Sequence, residues 1–178
     1  GAGVAGLSYV WAVLSGSLNG TASQVYGSST TGPSLVIKPN NLVPGVTYKF
    51  QVTVRKLAVG NVPFGAPGVA TVLIPVNAPP RNGICFSDPP FGTPMQTTFL
   101  LKCTDWSDDS SDLPLTYQFF RLVPGEANPE RALSETPRQE PFHPQIMPPS
   151  PTGFHTVRAK IFDRSLGVAT YDFVVAVN

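Results

Sequence analysis

Apolar and polar residues alternate in short runs along much of this chain, with a period of two where the pattern is clearest. Residues 7–13 read Leu-Ser-Tyr-Val-Trp-Ala-Val, which predicts a strand with Trp11 buried. From Tyr48 onward, Tyr48, Phe50, Val52 and Val54 share one face, and Lys49, Gln51 and Thr53 share the other. That is the signature of a half-buried strand. Between them, residues 20–33 are rich in Ser, Thr and Gly. They predict a loop with at most one short strand near 24–26. Residues 34–37 predict another short strand, and 68–76 a closing one.

A second segment begins after Asn77-Ala78-Pro79-Pro80, a linker-like stretch. Strands are expected at 83–87, 97–104, 115–122, 154–162 and 167–177. Residues 126–151 are acidic, proline-rich and without periodicity. They are expected to form a long irregular loop in place of a sandwich's middle strands. The lead-in Leu42-Val-Pro-Gly-Val-Thr-Tyr48 resembles the tyrosine corner of fibronectin type III and related sandwiches, where a Tyr hydroxyl ties a strand's start to the preceding turn. Laying Pro151 over Pro44 places His155 where Tyr48 sits. His155 is therefore expected to be a degenerate corner residue bonding backbone, in preference to a metal or catalytic role.

Composition supports an all-β reading. The chain has 20 prolines and 16 glycines, which disfavour long helices. Eleven Phe and the Val/Ile/Leu runs argue against disorder over most of the length. The expectation is a tandem of fibronectin-III/immunoglobulin-like β-sandwich modules, one over 1–77 and one over 78–178. A seven-stranded sandwich takes about 90–100 residues. Only four or five strands are readable before residue 77, so the first module is expected to be incomplete at its N-terminus, its missing strands lying upstream. The chain opens on Gly1, not Met, and shows no signal peptide and no apolar run near the length of a membrane span. Membrane attachment is expected only through other parts of a longer protein.

Charge divides at the same boundary. Residues 1–77 hold Lys38, Lys49, Arg55 and Lys56 and no acid, whereas 78–178 hold 11 acids against 8 bases. This contrast allows docking between neighbouring modules. The net charge of +1 excludes a general nucleic-acid surface.

Candidate chemistry is sparse. Cys85 and Cys103 are the only cysteines and fall on consecutive expected strands. One bridge between them is the natural account, and two buried free thiols are the alternative. Asp105, Asp108, Asp109 and Asp112 crowd one loop. Calcium wants six or more oxygens, but the spacing is not an EF-hand loop, and a solvated turn with Asp side chains on backbone amides is preferred. Asn19-Gly20-Thr21 is an N-glycosylation sequon in an expected loop. No nucleophile elbow, phosphate loop or paired His/Cys ligand set is present, so no catalytic residue, metal or cofactor is expected.

The run Asn77-Ala-Pro-Pro-Arg-Asn-Gly-Ile-Cys85, then Thr97-Thr-Phe-Leu-Leu-Lys-Cys103-Thr-Asp-Trp106, then Asp112-Leu-Pro-Leu-Thr-Tyr-Gln-Phe119, resembles the REJ (receptor for egg jelly) module of polycystin-1-like proteins and sperm egg-jelly receptors. Phe162-Asp-Arg-Ser-Leu-Gly167 is similar to that module's later strand turn. The likeness covers most of 77–178, and residues 125–151 depart from it. It implies a non-catalytic ectodomain segment on the outer face of the plasma or ciliary membrane. The partners it implies are neighbouring modules, a polycystin-type channel subunit, or an extracellular protein or glycan ligand. It transfers no ligand site. The alternative role is a structural module of an extracellular filament or coat.

Overall fold

The computed structural model describes residues 4–58 and 60–178. The fold is nearly all β, built from several antiparallel sheets, as the alternation and the turn-rich composition require. The chain divides into two compact units, Gly1–Asn77 and Ala78–Asn178.

The first unit carries one three-stranded antiparallel sheet. Its strands are β1 (Val4–Ser15), β2 (Thr47–Ala58) and β3 (Pro63–Pro75), in that order across the sheet. Trp11 lies opposite Val52 and Val13 opposite Phe50. Directly opposed residues share a face, so the Tyr48–Val54 stripe continues across β1. The connection from 16 to 46 folds over this face. Trp11 N donates to Thr30 O at 2.8 Å, and its indole N–H to Gly32 O at 3.0 Å. Trp11 is half-buried, not buried as its place in the alternation suggested, because only loop covers it. Residues 24–26 and 34–37 form no strands. Instead α1 (Ala22–Val25) is a single helical turn, and Tyr26 and Ile37 make an isolated bridge. The Gln24 side chain explains the helical turn, since its Oε1 accepts from Thr21 N at 2.9 Å and satisfies a free amide at the turn's start.

The second unit is a two-layer sandwich. β4 (Ile84–Asp88), β6 (Thr98–Thr104) and β9 (Phe142–Ile146) form one sheet, in the order β4-β6-β9. The other holds β5 (Phe91–Gly92), β7 (Thr116–Leu122), β8 (Glu130–Ala132), β10 (Phe154–Phe162) and β11 (Val168–Val177), in the order β5-β11-β10-β7-β8. Alternate residues fill the space between them: Phe99, Leu101 and Cys103 from β6, and Val157, Ala159 and Ile161 from β10, with Phe119 and Met147. The stretch 126–151 is not the irregular loop its composition suggests, since β8 extends one sheet and β9 the other. Pro144 sits inside β9, which is tolerable because β9 is an edge strand that pairs on one side only.

Candidate functional site

Cys85 and Cys103 are directly opposed on β4 and β6 and form a disulfide, with Cα atoms 4.1 Å apart. Both sulfurs lie in the sandwich core. The motif around them has a packing logic. Trp106, three residues past Cys103, meets Tyr171 edge-on at 6.3 Å and lies flat on Gly83. A Cβ on Gly83 would sit 2.1 Å from the indole ring, so only glycine fits two residues before Cys85.

The two corner positions do comparable work in their separate units. The Tyr48 hydroxyl donates to Ser17 O and accepts from Val43 N, both at 2.9 Å. Its ring covers Gly16, whose φ of +88° and missing Cβ the contact requires. His155 Nε2–H donates to Pro148 O at 2.9 Å. Neither histidine belongs to a group with metal-ligand spacing among the described residues.

Of the four aspartates singled out in the sequence, three come together. Carboxylate oxygens of Asp108, Asp109 and Asp112 lie within 4.8 Å of one another, while Asp105 stays apart with a φ of +61°. Each has a structural task. Asp108 Oδ1 accepts from Asp109 N at 2.8 Å, and Asp109 faces Arg81 at 3.5 Å. Asp112 accepts from the Ser165 hydroxyl, and its carbonyl accepts from Arg164 N at 2.9 Å. Asp163, buried 51 residues away in sequence from Asp112, accepts from Gly167 N at 2.7 Å. Asp163 has no local signal in the sequence, since only the β10–β11 turn brings it here. Among the described residues Asp108 Oδ2 has no hydrogen-bond partner, and it is shut off from solvent. Burial pushes the Asp108 carboxyl up, and the charges of Asp163, Asp112 and Asp109 add to this against the Asp109 amide. The cluster therefore pins the 105–113 loop to the β10–β11 turn.

Asn19 is exposed on the connection between β1 and α1. On the outer face of the larger sheet, Arg158 forms a bidentate pair with Asp172 at 2.7 Å, and Glu130 bridges Arg158 and Lys160. A cavity of about 410 Å³ opens among Arg121, Leu122, Val123, Pro149, Phe154 and His155. Neither the network nor the cavity was visible in the sequence.

The family model for the REJ domain matches residues 2–178. The match spans both units, so it also takes in residues 2–77, which lie outside the stretch that the sequence likeness covered. No curated protein matches the chain.

Proposed function

Because the chain belongs to the REJ domain family, a non-catalytic receptor module family found in polycystin-1-like proteins, we propose that it is an extracellular segment of a polycystin-1-like cell-surface receptor or channel-associated subunit. In this reading it acts in ligand binding, adhesion or force transmission beside a polycystin-type channel subunit, on the outer face of the plasma or ciliary membrane. The first unit serves as the C-terminal part of a fibronectin-III-like sandwich, which the Tyr48 corner supports. The second is the disulfide-bearing sandwich.

The observation that carries the reading is a family match over the whole chain. The buried Cys85–Cys103 bridge supports it independently, since such bridges persist in oxidising compartments. Among the described residues no helix is long and apolar enough to cross a membrane, which is consistent with an ectodomain segment. Asn19 carries an N-linked glycan in this reading. Antibodies against the 178-residue chain should stain unpermeabilised cells of its source, and the endogenous protein should lose mass at Asn19 on treatment with an N-glycosidase. Staining only after permeabilisation would sink the proposal.

A further inference from the structure

Residues 82 and 83 link an isolated bridge, Arg81–Ser107, to the start of β4. The fold constrains both. Asn82 has a φ of +70°, in the left-handed region that Asn enters more readily than most residues. Gly83 lies under the Trp106 indole, where a Cβ would sit 2.1 Å from the ring. Backbone geometry at one position and packing at the next thus hold an Asn–Gly pair in place.

That pair carries a reactivity of its own. The backbone nitrogen that follows an Asn can attack the Asn side-chain amide, and glycine leaves this nitrogen least obstructed. Asn82 is exposed to water. Its side-chain nitrogen makes a long contact to Ser107 Oγ, at 3.4 Å. Among the described residues the Gly83 N–H donates no hydrogen bond, so none has to break before the nitrogen reacts. Asn40 and Asn61 share the positive φ, but Asn41 and Val62 follow them and crowd the attack. Asn19–Gly20 is the other Asn–Gly pair in the chain, and it lies in the first unit.

We propose that Asn82 is a site of spontaneous modification, converting to isoaspartate and aspartate, and that the isoaspartate form loosens the Trp106 contact. The Gly83 nitrogen gives its proton to a solvent base and bonds to Asn82 Cγ. The Cγ–Nδ2 bond breaks, ammonia leaves with a proton returned by solvent, and a cyclic imide remains. Water then adds across one imide C–N bond. Opening at Cγ gives aspartate. Opening at the main-chain carbonyl gives isoaspartate, in which the chain runs through Cβ and Cγ. The added carbon lengthens the backbone by about 1.5 Å between the Arg81–Ser107 bridge and the Ile84–Thr104 pair. Gly83 cannot then keep both its register and its place under the indole. The inference does not rest on the receptor reading, since the reaction needs only water.

The folded 178-residue chain is incubated at neutral pH and body temperature in water enriched in heavy oxygen, beside a short peptide of residues 79–84. Proteolysis in acid then releases the segment around residue 82 for separation and fragment-mass analysis. The Asn82 form should decline and be replaced by isoaspartate and aspartate forms, each carrying one heavy oxygen. The rate should rise with pH, because the attacking nitrogen must lose its proton. The intact isoaspartate chain should melt at a lower temperature than the aspartate chain, which carries the same charge, and its Trp106 indole resonance should shift. Conversion of the peptide with Asn82 unchanged in the folded chain overturns the proposal, and so does conversion at Asn19 alone. Aspartate without isoaspartate overturns the imide route. Equal melting of the two product chains overturns the loosening of Trp106.

Discussion

The two units use the same strand pattern to different ends. In the second, two sheets close on each other, and β6 and β10 bury every second side chain. In the first, a single sheet has Val25, Tyr48 and Phe50 as its buried apolar residues among those described. Val72 and Ile74 lie opposite Phe50 and Tyr48, on the same face, yet are 47% and 37% exposed. Alternation thus makes a strand, but a core needs a second layer to receive the inward face.

The largest expected difference follows directly. Residues 78–178 expressed alone should fold, and 1–77 alone should aggregate or stay unfolded, because its sheet leaves both an apolar face and edges uncovered. A well-dispersed amide spectrum from isolated 1–77 would erase the contrast.

Next in size is the disulfide, which only the second unit has. Its cysteines are 18 residues apart. Replacing both with Ala should cost about 3 kcal/mol through the entropy of the denatured loop, measured by denaturant titration of 78–178. Retention of full stability would show that the sheet pairing alone holds β4 to β6.

The two corners give a smaller, matched pair. Tyr48→Phe removes two hydrogen bonds to backbone and should cost about 1–2 kcal/mol in the 178-residue chain. His155→Phe removes one and should cost about half as much. Equal costs would mean that packing, not the backbone bond, sets the value of the corner.

The smallest effect separates the units by pH. Residues 1–77 contain no Asp or Glu, so acid sensitivity near the carboxylate range must come from the second unit. Hydrogen bonds from Lys160 and Arg158 hold Glu130 below its ordinary value, and Arg158 does the same for Asp172. Their stabilisation is present above the unfolded carboxylate pKa and is lost as pH falls through the depressed folded values. Both groups are partly exposed, so screening limits each to about 0.5 kcal/mol. Asp108 has the opposite sign, because its folded value is raised. Its favourable contribution is present below the ordinary Asp pKa and vanishes as pH rises through the folded one. Asp108→Asn should therefore stabilise at neutral pH, by about 0.5 kcal/mol, and not in strong acid. Thermal melts of native and variant chains across pH check both signs.

Legibility followed local pattern. The expected strand at 154–162 matches β10 end to end, because Val157, Ala159 and Ile161 are apolar and their neighbours mostly polar. β9 was unreadable because its alternation is inverted. His143 and Gln145 lie opposite Leu101 and Phe99 and so face the core, while Phe142 and Ile146 are exposed. The His143 ring packs against Phe119 at 6.3 Å, so an aromatic surface fills a place where an aliphatic residue would have announced the strand. β8, three residues with a charged centre at Arg131, is too short for any period to show.

By itself the sequence determined the strands with regular alternation, the all-β class, the REJ likeness and the position of the two cysteines. These are properties of neighbours along the chain, where a period of two or a motif spacing is local information. Only the tertiary structure decided that Asp163 joins Asp108 and Asp112 and that β9 turns its polar side chains inward. Each depends on which layer lies across from a strand, and the chemistry of that opposite layer is contributed by residues far away in sequence.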